Sequence, residues 1–129
     1  MSIAGFAVVG IGAALGAWLR WALSVGLNSV FPHLPPGTLI ANLLGGYLIG
    51  LAIAVFEAMP ALAPEWRLFA ITGFLGGLTT FSTFTAESFA LLERGSWGWA
   101  FLHAAGHLSG CLAAAWLGRA CFQWLGGGQ

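Results

Sequence analysis

The chain has 129 residues, of which 59% are hydrophobic and only 6% charged, against roughly 25% charged in a soluble domain. Four arginines (Arg20, Arg67, Arg94, Arg119) balance four glutamates (Glu57, Glu65, Glu87, Glu93), so the formal net charge is zero and no basic face exists for a nucleic-acid backbone. A small domain buries only about 60–70% of the surface that its unfolded chain exposes, so a mean hydropathy of +0.89 argues against soluble enzymes, nucleic-acid binders and disordered linkers and points to an integral membrane protein.

A spanning helix needs about 20 mostly apolar residues. Lipid offers no partner to free backbone groups, so only helices or a closed barrel can cross. The apolar runs here are long and do not alternate, which favours helices. The start, Met1-Ser2-Ile3-Ala4-Gly5, has no positive n-region, and a cleaved signal peptide is not expected. The first span is predicted at about 6–27, with Arg20 toward its far end. Asn28 and Ser29, then Pro32, Pro35 and Pro36, make a loop. The second span runs over about 38–56, and Glu57, Pro60, Pro64 and Glu65 mark the next loop. The third covers about 67–92, followed by a Glu93-Arg94-Gly95 turn, and the fourth about 97–122, followed by a glycine-rich tail. The expectation is a single all-α domain of four membrane helices over 1–129. Cys111 and Cys121 are ten residues apart in the fourth span, roughly 15 Å on a helix and too far for a disulfide.

Orientation in a membrane normally follows the arginine and lysine bias of short loops. Here Arg20 and Arg94 fall on one side, Arg67 and Arg119 on the other. Either few charges give a noisy count, or the protein inserts both ways up and pairs as an antiparallel dimer. Four thin helices enclose little space, so most transport functions would need an oligomer in any case. Gly12/Gly16, Gly46/Gly50, Gly73/Gly77 and Gly106/Gly110 have the spacing that lets helices approach closely.

Polar groups within spans are costly and tend to mark function. The second span holds Thr38, Asn42 and Tyr47; the third Thr72, Thr79, Thr80, Ser82, Thr83, Thr85, Glu87 and Ser88; the fourth His103, His107 and Ser109. The stretch Gly73-Phe-Leu-Gly-Gly-Leu-Thr-Thr-Phe-Ser-Thr-Phe84 is a poor helix former placed mid-span. Two conformations answer it. One is a break whose freed backbone groups face protein or a hydrated cavity, with carbonyls able to hold Na⁺ and a helix N-terminus able to face an anion. The other is a continuous helix with its hydroxyls bonded back to the preceding turn. Phe81 and Phe84 share a face. Their rings serve either packing or, through their electropositive edges, an anion path. Asn42 and the hydroxyls can donate to such an ion. Glu87 reads as a proton-sensitive group near a pore end, in a vestibule, or as a polar residue at a helix end. His103 and His107 lie at i, i+4, which suits polar packing or pore lining; a metal needs more ligands than this helix alone offers, and a bis-histidine haem needs facing histidines.

On these residues the chain resembles the Fluc/CrcB fluoride channel family. The resemblance rests on Gly12-Ala-Ala-Leu-Gly16-Ala-Trp-Leu-Arg20, on Gly37-Thr-Leu-Ile-Ala-Asn42-Leu-Leu-Gly45 with Gly50 further on, and on the 73–84 string followed by Glu87. The third-span string is the specific part. Trp21 stands where tyrosine is common and Tyr47 where phenylalanine is common, and the fourth span carries no matching motif.

The resemblance implies an antiparallel, dual-topology homodimer in a bacterial inner membrane, with two fluoride pores and no enzymatic activity. It implies that Phe81 and Phe84 contact the ion by their edges, that Asn42 is a pore amide, and that Ser82 and Thr83 line a polar track which Thr38 extends. It implies a break in the third helix at Gly76 and Thr79, whose carbonyls hold a structural Na⁺ at the dimer centre, and a vestibule role for Arg20, for which interfacial snorkelling is the alternative. Neutral donors suit fluoride, because conduction requires weak, multi-site binding rather than a deep trap. Two rivals remain at this point. A proton-coupled multidrug exporter would want a membrane-embedded carboxylate, and the first span has none. A haem anchor would use the histidines.

Overall fold

The computed structural model describes residues 2–31 and 33–126. The expected loop proline Pro32 and the end of the expected glycine-rich tail, 127–129, lie outside the described residues. Among the described residues, four helices are long and apolar enough to cross a membrane: Ile3–Leu27, Pro36–Ala58, Pro64–Glu93 and Trp97–Trp124. The first is α1, capped by Ser2, whose hydroxyl accepts from Gly5 N at 3.0 Å. The second is α2. It begins with Pro36, and the third span begins with Pro64. Both prolines were expected in loops, but a first helical residue has no intrahelical use for its N–H, so proline opens a helix there without cost.

The third span is not one helix. It opens as α3 (Pro64–Arg67), widens into a π-helical stretch (Leu68–Leu75), returns to a short α4 (Gly76–Leu78), and then breaks. Thr79 (ψ 155°) and Thr80 (ψ 112°) are extended. The chain restarts as α5 (Phe81–Glu93) and, after a tight turn, α6 (Trp97–Trp124). Of the two conformations open to the 73–84 string, the broken one is adopted. Gly95 closes α5 with φ 72°. Ser96 N donates to Leu91 O and Gly95 N to Leu92 O, the paired bonds that satisfy a helix C-terminus when the residue beyond the cap is left-handed.

Glycines bring the backbones together. A Cβ on Gly12 would lie 2.6 Å from Phe69 O, and one on Gly73 would lie 2.8 Å from Val9 O. Thus α1 lies directly on the π-helical stretch. A Cβ on Gly46 would lie 2.7 Å from Cys111 O, while Gly50 and Gly118 face Ala115 O and Tyr47 O, so α2 lies as closely on α6. Gly106 meets nothing within 4 Å, whereas a Cβ on Gly110 would lie 2.7 Å from the Leu43 side chain, so only one glycine of that pair is closely packed, and against a side chain rather than a backbone.

The buried core is small, Ala41, Leu75 and Leu78, with Leu23, Leu44, Leu48, Ile49 and Phe74 against it. Outward faces keep large apolar groups exposed, among them Trp18, Trp21, Phe101 and Trp116, as expected of a lateral surface solvated by lipid. At one end, His33 of the first loop stacks on Trp99 with ring centroids 5.5 Å apart. At the other, Arg119 pairs with Glu57 at 2.9 Å and Arg67 lies over the Phe56 ring at 5.3 Å. Cys111 and Cys121 are both free.

Candidate functional site

The break sets the site. In an unbroken helix, Thr80 N would donate to Gly76 O. Instead Thr80 N donates to Asn42 Oδ1 at 2.8 Å, and Asn42 Nδ2 donates to Thr80 O at 3.2 Å. One amide on α2 therefore clamps both backbone groups of an extended residue, and keeps one N–H for another partner. The Thr80 hydroxyl then caps α5, accepting from Thr83 N at 3.1 Å and donating to Thr83 Oγ1 at 2.9 Å, with Ser82 Oγ at 3.2 Å. Thr79 Oγ1 donates to Leu75 O at 2.9 Å. Arg20, on α1, donates from Nε to Gly77 O at 3.0 Å. Gly77 O is another acceptor that the break deprives of its helical partner. Arg20 is therefore turned onto the break, midway along the third span, and brings a cationic group beside it.

Beside this clamp runs a chain of polar side chains linking α2, α5 and α6. Thr38 is fully buried, and its hydroxyl donates to Glu87 Oε1 at 2.6 Å. Asn28 holds the start of α2, its Oδ1 accepting from Gly37 N at 2.8 Å and Thr38 N at 3.3 Å. Glu87 Oε2 lies 3.1 Å from His103 Nε2, and His103 Nδ1 lies 3.0 Å from Ser88 Oγ. His107 Nδ1 bonds His103 O at 3.0 Å. Glu87 is thus mid-helix in a partly buried network and does not end α5.

Phe84 ties the two groups together. Its ring stacks on His103 (centroids 5.2 Å, interplanar angle 7°), lies 4.9 Å from His107 and 5.5 Å from Phe81. Phe81 is 79% exposed. A cavity of about 660 Å³ opens alongside, lined among others by Asn42, Gly76, Thr79, Thr80, Phe81 and His107. The His103 and His107 rings lie 4.4 Å apart on one helix, with no room for a haem plane between them.

Asn42, Thr79, Ser82, Thr83, Phe81 and Phe84 are thus gathered at the break, and Gly76 lines the same cavity. Thr38, Glu87 and His103 form the adjoining polar chain. Ser109 is not brought in: it is exposed, and its hydroxyl donates to Ala105 O at 2.6 Å on its own helix. Three residues outside the expected set matter most to the wiring: Thr80 as clamp point and cap, Ser88 on His103, and Asn28 on Thr38. Thr80 was visible in the hydroxyl-rich string. Ser88 and Asn28 have partners on other elements, which spacing along the chain does not show.

The family model described as CrcB-like protein, Camphor Resistance (CrcB), matches residues 7–119. The chain belongs to the CrcB family. A CrcB-family relative from Cupriavidus pinatubonensis, named fluoride-specific ion channel FluC, is 66% identical over 114 residues, covering 88% of this chain and 90% of its own. One of the same name from Aromatoleum aromaticum is 58% identical over 122 residues, covering 94% of this chain and 93% of its own. A third, from Ralstonia nicotianae, is 56% identical over 126 residues, covering 98% and 100%. The matched region of this CrcB-family chain contains the break, the Asn42 clamp and the histidines of α6.

Proposed function

We propose that this protein is a passive, fluoride-selective ion channel that exports fluoride across a bacterial inner membrane as an antiparallel, dual-topology homodimer with two pores. The observation that carries the reading is the clamped break at Thr79–Thr80, beside the Phe81–Phe84 pair and an open cavity. The names of the 56–66% identical relatives support fluoride as the ion.

Fluoride is small and strongly hydrated, so a pore must replace its water with donors. The free N–H of Asn42, the hydroxyls of Ser82 and Thr83, and the ring edges of Phe81 and Phe84 offer uncharged contacts in sequence, with Thr38 further along beside Glu87. Such contacts hold an anion without trapping it. Arg20, turned onto Gly77 O, adds attraction for an anion at membrane depth. Phe81 is exposed in the single chain, and a second, inverted copy seated there would enclose both rings at the seam. Neutral HF entering an acid-exposed cell dissociates inside. The inside-negative potential then drives the anion outward by about 2.3 kcal/mol per charge per 100 mV.

The resemblance also implies a structural Na⁺. The residues fit it. Diversion of Thr80 N to Asn42 takes the helical donor from Gly76 O, and extended Thr79 leaves the helical path, giving the neutral hard oxygens that Na⁺ takes. Carbonyls of Gly76 and Thr79 would hold the ion at the dimer centre. Bound there, it would supply fixed positive charge and tie the two copies together.

Protein reconstituted into potassium-fluoride-loaded liposomes tests the reading. With valinomycin carrying potassium, fluoride should appear outside far faster than chloride from matched vesicles. Absent fluoride efflux, or equal chloride efflux, overturns it.

A further inference from the structure

We propose that Glu87, His103 and His107 form a binding site for a divalent transition-metal ion of the Zn²⁺ class, with a fourth position open toward the cavity. One donor atom from each of the three residues lies within 4.8 Å of the others. Two histidines at i, i+4 on α6 and a carboxylate from the facing α5 make a two-nitrogen, one-oxygen set with an open position, a donor combination that binds Zn²⁺.

What distinguishes this cluster from ordinary polar packing is the bonding of the atoms that would not touch the metal. Glu87 Oε1 is held by the Thr38 hydroxyl at 2.6 Å, His103 Nδ1 faces Ser88 Oγ at 3.0 Å, and His107 Nδ1 bonds His103 O at 3.0 Å. Each ligand is thus oriented from behind, as metal-binding imidazoles and carboxylates are. The atoms left facing forward are Glu87 Oε2, His103 Nε2 and His107 Nε2.

His107 supplies the decisive observation. A carbonyl can only accept, so His107 Nδ1 carries the proton in its bond to His103 O, and Nε2 of the neutral ring presents a lone pair. His107 is 6% exposed, and Nε2 is buried with no hydrogen-bond partner among the described residues. Leaving a buried acceptor unsatisfied costs about 1–3 kcal/mol, and polar packing gives no return for that cost. A metal ion does. His107 also lines the cavity, the side on which the fourth position would open.

The geometry needs little movement. Metal–nitrogen distances of about 2.0 Å put tetrahedral ligand atoms roughly 3.3 Å apart. Glu87 Oε2 and His103 Nε2 are already 3.1 Å apart, and one donor atom of each of the three residues lies within 4.8 Å of the others. The ion takes the place of the proton between Oε2 and Nε2. Where His103 is doubly protonated, one proton leaves to solvent. Where it is neutral, the proton reappears on Nδ1, and Ser88 Oγ turns from donor to acceptor.

The test is independent of fluoride transport: failed efflux in liposomes would sink the channel reading and leave this binding measurement as it stands. Full-length protein in detergent, with Cys111→Ser and Cys121→Ser to remove thiolates, is titrated with Zn²⁺ against a chromophoric chelator, and with Co²⁺ followed by its visible spectrum. One Zn²⁺ should bind per chain, Co²⁺ should give the intense bands of a four-coordinate nitrogen–oxygen site, and His107→Gln and Glu87→Gln should each weaken binding by more than about tenfold. No saturable Zn²⁺ binding, binding kept within that factor in either variant, or the pale spectrum of six-coordinate Co²⁺ overturns the site. If a variant does not fold, judged by its elution and helical circular dichroism, the Co²⁺ spectrum of the parent protein decides alone.

Discussion

At the scale of single residues, the site is organised by side chains that each satisfy two demands. Asn42 both donates to and accepts from Thr80, which is what allows an extended backbone at membrane depth. Thr38 both orients Glu87 and is itself positioned by Asn28. Its replacement is therefore informative. Thr38→Val keeps the shape but leaves Glu87 Oε1 without its hydroxyl donor, and the expected loss is about 1–3 kcal/mol, seen as a lower midpoint when helical circular dichroism is followed on heating in detergent. An unchanged midpoint would mean that the bond contributes nothing. The residues of the break were legible in the sequence because they are contiguous, and their chemistry, glycine then hydroxyls, contradicts the helix around them. The α6 histidines were not. Their meaning depends on Glu87 and Ser88, sixteen and fifteen residues earlier, and only the docking of α5 on α6 brings them together.

At the scale of elements, glycine decides which helices touch. The four spans follow from apolar runs interrupted by prolines and charges, while the 73–84 string leaves a break and a continuous third helix equally open. Which small residue faces which backbone does not follow, since spacing alone treats Gly46/Gly50 and Gly106/Gly110 alike. The structure separates them. Gly50 faces Ala115 O across α2 and α6, whereas Gly106 faces open space. Gly50→Val should split this pair and give protein that aggregates or elutes as a broadened species. Gly106→Ala should elute as wild type and melt no lower, since alanine favours a helix over glycine by about 1 kcal/mol. Equal behaviour of the two variants would contradict the packing described. The π-helical stretch Leu68–Leu75 was likewise not legible, because widening a helix leaves its apolar composition unchanged.

At the scale of the whole molecule, charge says little about which way up the protein sits. With Arg20 drawn onto the break, one end keeps Arg94 and the other Arg67 and Arg119, too small a difference to fix orientation. Two orientations in one membrane are expected. With both native cysteines replaced, a Ser2→Cys protein should label with an impermeant thiol reagent from each side in comparable amounts, and one-sided labelling would exclude an inverted dimer. The central claim is that uncharged groups at the break carry fluoride. Its most direct test is fluoride efflux from liposomes holding equal amounts of wild-type, Asn42→Ala and Phe81→Ala protein, each eluting as wild type. Both variants should fall to the rate of protein-free vesicles. Wild-type efflux in both would place the ion's route elsewhere.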